Sequence, residues 1–252
     1  MPLDARRAFP AWAARPDTER QQALGKIADL IEAHQEELAA LITAEQGKPQ
    51  AGPGAPFEVG GCVAWTRVTQ GLSVEPEVLI DTDEERVELI REPVGVVASI
   101  TPWNWPMNQV VCKVAPALLA GCTMVLKPSE MAPLSAHLFA EILHEAGVPP
   151  GVFNLVWGSG PEIGPVMASH PLVDMVSLTG STGAGADVAR NGADSIKRIS
   201  LELGGKSANI ILEDAPLEEA VTAGVLQMMS NTGQSCNAPS RMLVPAEKLS
   251  QV

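Results

Sequence analysis

The sequence has no tyrosine, only four cysteines and far fewer basic than acidic side chains. The cysteines (Cys62, Cys112, Cys122 and Cys236) show no Cys-x-x-Cys spacing, and the histidines are isolated. This spacing argues against a metal site and against a disulfide framework. Cys112 and Cys122 lie in apolar segments, so we expect them in the core.

Basic stripes are also missing. The chain has 17 Lys and Arg against 30 Asp and Glu, a formal net charge of −13. Such a balance repels phosphate backbones and excludes nucleic acid as the expected partner. No apolar run reaches the roughly 18 residues of a membrane span. The amino terminus lacks the apolar segment of a secretory signal, so we expect a cytoplasmic protein with no membrane association.

The first third of the chain contains helix signals and one hairpin signal. A capping box at 18–21, followed by apolar residues at helical spacing, predicts one long helix over residues 18–46. A second helix is expected from Phe57 to about Thr69. Residues 73–93 alternate apolar and charged side chains around a polar turn, which predicts a β-hairpin that needs a partner sheet.

From Val94 onward, short apolar runs alternate with helix-length segments. Repeated β-α-β units indicate an α/β fold with a doubly wound parallel, Rossmann-like sheet and ligands at the carboxyl ends of its strands. The expected strands are Val94–Ile100, Thr123–Leu126, Phe153–Val156, Met175–Leu178 and Ala208–Leu212, and the expected helices include Leu134–Ala146, Glu162–Ser169 and Thr182–Asn191.

Two glycine-rich junctions follow predicted strands and open predicted helices. Gly180-Ser181-Thr182-Gly183-Ala184-Gly185 would let a pyrophosphate approach the backbone and the helix N-terminus. A plain strand-to-helix turn explains the same residues. The second junction contains Gly160 and Gly164.

Lys127-Pro128-Ser129-Glu130 ends another predicted strand. Lys127 and Glu130 could hold ribose hydroxyls there, and Glu130 would repel a 2′-phosphate. A solvated loop with an incidental charge pair is the alternative interpretation.

Three further side chains are candidates for catalysis. Asn104, between Trp103 and Trp105, offers an amide donor to an oxyanion, although a rigid turn packed on tryptophan has the same sequence. Glu202 is followed by Gly204-Gly205 and is either a general base or a surface glutamate. Cys236 lies in a polar, glycine-containing turn, which suits a reactive thiol better than a core cysteine.

The order of these motifs resembles the aldehyde dehydrogenase superfamily over essentially the whole chain. The resemblance is carried by the segments 102–106, 127–130, 180–185, 202–206 and 233–236 and by Glu45-Gln46-Gly47-Lys48-Pro49.

The resemblance implies NAD-dependent oxidation of an aldehyde to a carboxylic acid, with NADP possible. Cys236 would be the nucleophile, Asn104 with the Cys236 N–H the oxyanion donors, and Glu202 the base that activates water. The cofactor would contact Trp103, Lys127, Ser129, Glu130, Gly160, Gly164, Gly180, Ser181 and Leu203. No metal is implied, and a homo-oligomer is the expected state of a full-length member.

Members of this family are roughly twice as long. We therefore expect a largely absent second α/β domain, with an amino-terminal helical segment at 1–72, an oligomerisation hairpin at 73–93, the dinucleotide-binding domain at 94–232 and the start of a catalytic domain at 233–252. A catalytically inactive dinucleotide-binding remnant or an interaction protein is the alternative. An acylating enzyme that uses coenzyme A is disfavoured, because Glu202 serves hydrolysis.

Overall fold

A computed structural model describes all 252 residues. The helices are α1 (Pro2–Ala13), α2 (Asp17–Ala33), α3 (Gln35–Gln46), α4 (Ala55–Gln70), α5 (Pro106–Leu119), α6 (Leu134–Glu145), α7 (Gly160–Ser169), α8 (Thr182–Gly192) and α9 (Leu217–Met228). The strands are β1 (Glu77–Asp81), β2 (Arg86–Leu89), β3 (Val96–Ile100), β4 (Thr123–Lys127), β5 (Phe153–Leu155), β6 (Met175–Thr179), β7 (Arg198–Glu202), β8 (Ala208–Ile210) and β9 (Arg241–Leu243).

Five parallel strands form the central sheet in the order β5-β4-β3-β6-β7. Successive side chains of β3 point to opposite faces, as the period of a strand requires. Val97 joins a core with helices α2 to α6, whereas Val96 and Ala98 join a second core with α1, α7 and α8. Both faces are therefore covered by helices, which confirms the doubly wound α/β fold.

The order in which strands join the sheet reverses at β3. From β3 the chain adds β4 and β5 on one side, and it then returns to add β6 and β7 on the other side of β3. The carboxyl ends of these strands border a crevice at the point of reversal, which is where open α/β sheets bind ligands.

The fifth predicted strand, Ala208–Leu212, is present but lies outside the central sheet, and β7 was not predicted. The strand beside β6 is β7, whereas Ala208–Leu212 supplies only the short β8, which pairs with β9 in a separate two-stranded parallel sheet. As an edge strand, β7 begins with Arg198, ends with Glu202 and buries its middle residues only in part. Its apolar run is therefore too short to be distinguished in the sequence.

The single helix predicted over 18–46 is two helices. The chain leaves helical geometry at His34 (φ −95°, ψ 16°), and α3 starts immediately afterwards. After the break α3 packs on α4 and α6, whereas α2 packs mainly on α4, and Leu38 and Ile42 of α3 are buried in the same core as α2. Residue spacing continues through the bend, so periodicity alone cannot detect it.

The hairpin at 73–93 is confirmed as β1 and β2, which pair antiparallel with an irregularity between Val78 and Ile80. Its strands are almost wholly exposed. Of the two cysteines expected in the core, Cys122 is buried and Cys112 is half-buried, and both line a cavity beside the sheet. No helix in the chain combines the length and apolarity needed to cross a membrane.

Candidate active site

A groove of about 560 Å³ opens at the carboxyl ends of β3, β4 and β6. The structure brings Cys236 and Asn104 together in this groove with eight of the nine side chains or glycines predicted to contact a cofactor. These eight are Trp103, Lys127, Ser129, Glu130, Gly160, Gly180, Ser181 and Leu203.

Asn104 lies in the loop between β3 and α5, residues 101–105, which is called the Asn104 loop below. This loop is next to the segment that carries Cys236. Its side-chain nitrogen donates to the Gln234 carbonyl at 2.9 Å, which uses one of the two amide N–H groups. The neighbouring Trp105 indole donates to Ser235 Oγ at 2.9 Å. Two hydrogen bonds thus tie the Asn104 loop to the cysteine segment.

Cys236 is held on a strained turn. Asn231, Thr232 and Gly233 take left-handed backbone conformations in succession, with φ of 53°, 55° and 76°. A β-branched threonine rarely adopts this conformation, so the surrounding contacts must impose it. Cys236 is exposed, and its N–H has no backbone acceptor. Both groups can therefore meet a ligand in the groove.

The segment after β7 passes beside the cysteine turn. A Cβ added to Gly205 would lie 3.8 Å from the Cys236 carbonyl oxygen. The adjacent Lys206 ammonium donates to the Ser235 carbonyl. The segment after β7 therefore supports the cysteine turn from one side, as loop 101–105 supports it from the other.

Glu202 does not share the groove with Cys236. Its exposed side chain lines a second cavity of about 490 Å³, and the two cavities meet at Gln109 and Thr179. Lys113 lines the second cavity and donates to Ser177 Oγ at 2.8 Å. Burial lowers the pKa of Lys113, and the Glu202 carboxylate acts in the opposite sense. The Glu202 side chain must rotate toward the boundary at Thr179 to reach the cysteine.

The opposite end of the groove has the features of a phosphate site. Ser181 caps α8 by accepting from the Ala184 N–H at 3.1 Å, and Gly180 precedes it at the end of β6. A Cβ on Gly185 would lie 2.6 Å from the end of the Leu203 side chain, so a larger residue here would displace that side chain. Gly180, Ser181 and Ala184 line the groove at the N-terminus of α8, and a helix N-terminus can receive an anion.

Lys127 and Glu130 form a preorganised pair at the end of β4. The buried Lys127 ammonium donates to Glu130 at 2.9 Å and to the Pro128 carbonyl at 2.8 Å. Glu130 also accepts from the Gly160 N–H at 3.2 Å. The hydrogen bond from Lys127 lowers the pKa of Glu130 to about 2, so this carboxylate remains charged at neutral pH.

Gly164 is the one predicted cofactor contact outside the main groove. It lines an adjoining cavity of about 350 Å³ between α7 and α8, and Gly160 borders both spaces. Ile100 and Leu178 also border both, which gives the junction an apolar wall.

Two buried hydroxyls in the groove suit a polar ligand. Thr101 Oγ1 and Thr179 Oγ1 have no hydrogen-bond partner in the protein. Buried polar atoms are normally satisfied, so an unpaired pair in one groove indicates a ligand or solvent. With the α8 terminus and the Lys127–Glu130 pair, these hydroxyls fit a dinucleotide.

Sequence reasoning missed several residues that support the site. Gln46, Lys48 and Asn231 donate to the Asn104 carbonyl. Glu58 accepts from Lys48 and from the first turn of α5, and Lys113 stands beside Glu202. Gln46 and Lys48 occur in the segment 45–49 that carries part of the family resemblance, but no local pattern assigns them a role. Glu58 lies within α4, where no sequence motif marks it.

The chain matches the family model described as "Aldehyde dehydrogenase family" over residues 3–252. It is 52% identical over 252 residues to the 3-succinoylsemialdehyde-pyridine dehydrogenase of a Pseudomonas species, covering 98% of this chain and 52% of that protein. It is 41% identical over 256 residues to the succinate-semialdehyde dehydrogenase [NADP(+)] GabD of Escherichia coli K12, covering 98% and 53%. The chain thus spans about half the length of the curated relatives it matches.

Solved structures show the same likeness. A C291A mutant of aldehyde dehydrogenase C from Pseudomonas syringae, in complex with NAD+ and octanal, superposes with a TM-score of 0.92 at 47% identity, covering 99% of this chain and 51% of that one. The NAD+ complex of an aldehyde dehydrogenase from Bacillus cereus gives 0.92 at 40% identity, covering 99% and 52%. The chain therefore belongs to the aldehyde dehydrogenase family.

Proposed function

We propose that this chain carries the cofactor groove and the nucleophile for NAD-dependent oxidation of an aldehyde to a carboxylic acid. The observation that carries the proposal is that Cys236 and Asn104 line one groove with the capped N-terminus of α8 and the Lys127–Glu130 pair. A nucleophile, an amide donor and a dinucleotide cradle are therefore contiguous.

Cys236 attacks the aldehyde carbon as a thiolate, and the resulting thiohemiacetal carries its charge on oxygen. The second Asn104 amide N–H and the Cys236 backbone N–H stabilise this oxyanion. Donors of this kind each contribute about 100-fold or more to a rate. Covalent capture divides the oxidation into two easier steps.

A nicotinamide cofactor held in the groove would supply the acceptor for the hydride that leaves the thiohemiacetal carbon. The acyl group is then held as a thioester on Cys236. Glu202 rotates toward the boundary of the two cavities and takes a proton from water, whose oxygen adds to the thioester carbon. The carboxylic acid leaves and the thiolate is regenerated. This role for Glu202 is supported by its freedom, since its carboxylate makes no hydrogen bond within the chain.

NAD is the proposed cofactor, and NADP is the second candidate. Lys127, Ser129 and Glu130 would hold the adenosine ribose, with Trp103, Gly160, Gly180, Ser181 and Leu203 along the groove. Gly164 would border the adenine in the adjoining cavity. The charged Glu130 disfavours a 2′-phosphate, although the relative GabD is named for NADP(+).

The domain division and assembly stand as proposals too. Residues 94–232 form the dinucleotide-binding unit, with helices 1–72, the hairpin 73–93 and the first residues of a catalytic domain at 233–252. The exposed hairpin supports a homo-oligomer. Four free cysteines, one of them the nucleophile, support a reducing compartment such as the cytoplasm.

Replacement of Cys236 by alanine tests the proposal. We expect aldehyde-dependent NADH formation to fall more than about 1,000-fold while NAD affinity stays within about twofold, because the thiol is needed for chemistry and not for binding. NADH absorbance at saturating NAD measures the first quantity, and quenching of tryptophan fluorescence by NAD measures the second.

Cys122→Ala is the matched control, because this buried cysteine lies just before β4, at the amino ends of the strands and away from the groove. Equal turnover by Cys236→Ala and Cys122→Ala would reject Cys236 as the nucleophile. NAD binding with no NADH from the unmodified chain would point instead to an inactive dinucleotide-binding protein.

A further inference from the structure

An ion pair is completely buried beneath the loop that carries Asn104. Lys48 lies just after α3 and Glu58 lies in α4, and their side chains are both 0% exposed. Neither residue lines the groove. The pair therefore touches no ligand, and its partners in the protein decide what it does.

The Lys48 ammonium has two hydrogen-bond acceptors and one aromatic partner. The ammonium donates to Glu58 and, at 3.3 Å, to the backbone carbonyl of Asn104. It also lies 3.8 Å from the centre of the Trp105 ring, where the π face attracts a cation. Two of its three partners are thus consecutive residues of the Asn104 loop.

Glu58 holds the other end of the same loop. One carboxylate oxygen accepts from the Met107 and Asn108 N–H groups, each at 3.0 Å, while the other accepts from Lys48. Met107 and Asn108 belong to the first turn of α5, which has no side-chain cap of its own. Glu58 supplies that cap from another helix.

The Asn104 peptide receives further donors from both sides of the site. Its carbonyl accepts from Asn231 at 2.8 Å and from Gln46 at 3.4 Å. Asn231 belongs to the strained turn before Cys236, and it also donates to the Gln234 carbonyl at 3.0 Å. The backbone of Asn104 is therefore fixed in the same network that sets the cysteine turn.

Burial makes this arrangement costly. It lowers the pKa of Lys48 and raises the pKa of Glu58, while their mutual attraction acts against both shifts. A buried pair of this kind is commonly no more stabilising than well-packed apolar residues of the same size. Its specific geometry, and not stability alone, is then what it contributes.

We propose that Lys48 and Glu58 are positioning residues, which fix loop 101–105 so that the Asn104 amide faces the oxyanion formed on Cys236. This inference rests on the proposed function for its catalytic consequence. The restraint on the loop is independent of that function and can be measured in the absence of turnover.

The first experiment is hydrogen exchange of the Lys48→Met/Glu58→Gln variant. Methionine keeps the volume of the lysine stem, and the glutamine oxygen can still accept from the α5 N-terminus, so the charges are lost with little change in packing. We expect amides in 101–106 and 231–236 to exchange at least tenfold faster than in the unmodified chain.

Arg6→Met/Asp174→Asn is the matched control. Arg6 Nη2 lies 2.6 Å from Asp174 Oδ2, and Asp174 also accepts from the Val96 N–H. This ion pair lies at the amino ends of the strands, away from the Asn104 loop. Exchange in 101–106 should be unchanged by the control. An equal response to both variants, or no response to the first, overturns the proposal. If the first variant does not fold, Glu58→Gln alone is compared with Asp174→Asn by the same criterion.

The second experiment measures single-turnover NADH formation with succinic semialdehyde. We expect the Lys48→Met/Glu58→Gln rate to fall about 10- to 100-fold, with the KM for NAD within about twofold, because a small misplacement of a catalytic donor has effects of this size. In an Asn104→Ala background, the same pair of substitutions should cost less than twofold.

A full rate despite faster exchange, or an undiminished loss in the Asn104→Ala background, overturns the positioning role. No NADH from the unmodified chain contradicts the proposed function instead. The exchange comparison then still decides whether the pair holds the loop.

Discussion

At the scale of single residues, charge state is set by specific hydrogen bonds. Glu130 receives N–H donors from Lys127 and from the Gly160 backbone, and these favour its ionised form. Its side chain is nevertheless 46% exposed, so solvent screens the pair and its contribution to stability is modest. The more important consequence is that a negative charge faces the cofactor groove throughout the neutral pH range.

The pH dependence of stability should follow from this shift. The pKa of Glu130 is lower in the folded chain than the 4.5 of a free glutamate, so its stabilising effect is complete above about pH 4.5 and is lost as pH falls toward 2. Urea denaturation should give a midpoint for Glu130→Gln that lies below that of the unmodified chain by a constant amount between pH 7 and 5. The difference should shrink below pH 4.5. A difference that widens with acid would contradict the assigned charge state.

Sequence reasoning located the residues of the groove but not the contacts between them or the cavity that each side chain lines. Asn104, Cys236 and the cofactor contacts were recognisable because short motifs mark them. Glu202 projects with Ser200 from the face of β7 that lines the second cavity, whereas Cys236 lies on a distant segment that lines the groove. Buried supports such as Lys48 and Glu58 depend on contacts between distant segments, which no local pattern encodes.

At the scale of elements, one helix is capped by another. Trp105 is the N-cap residue of α5 and Pro106 is its first residue, and neither offers a capping side chain. Glu58 of α4 accepts hydrogen bonds from the first free N–H groups of α5 instead. The junction of α4 and α5 therefore sets where the Asn104 loop ends.

Removal of this cap should destabilise the fold. Glu58→Ala leaves Lys48 as an unpaired buried charge and the α5 terminus uncapped, so we expect the free energy of unfolding to fall by about 3 kcal/mol. Glu58→Gln should cost less, because its amide oxygen can still accept. Urea unfolding followed by circular dichroism measures both. Equal losses for the two substitutions would show that the cap contributes nothing beyond the volume of the side chain.

The strand β7 was missed because its place depends on pairing with β6 and not on its own sequence. The run at Ala208–Leu212 is more apolar than β7, yet β7 joins the central sheet. An edge strand needs fewer apolar residues, and its place is decided by pairing with β6. Helices α6, α7 and α8 were predicted close to their observed bounds because each fills a segment between two predicted strands and is preceded by turn residues.

At the scale of the whole molecule, a small sheet outside the main core exposes apolar side chains on one face. Asn209 and Met242 face α9, whereas Ile210 and Leu243 pair on the other face and are 64% and 54% exposed. An uncovered apolar face of this kind promotes association.

We expect the purified chain to self-associate through this face. Ile210→Thr/Leu243→Thr keeps residues that favour strands and removes apolar area. The apparent mass from light scattering should rise with concentration for the unmodified chain and rise less for the variant. Matched changes on the hairpin, Val78→Thr/Leu79→Thr, distinguish the two exposed surfaces. Concentration-independent monomers in every case would refute the association.

The account as a whole depends on a thioester forming at Cys236. The most direct measurement is the mass of Glu202→Gln after incubation with NAD and succinic semialdehyde, or octanal as a second probe. We predict one NADH per chain and an added acyl mass on the peptide that contains Cys236, because hydrolysis lacks its base. NAD binding without NADH or an acyl adduct, for both aldehydes and also for the unmodified chain, would contradict the proposed function.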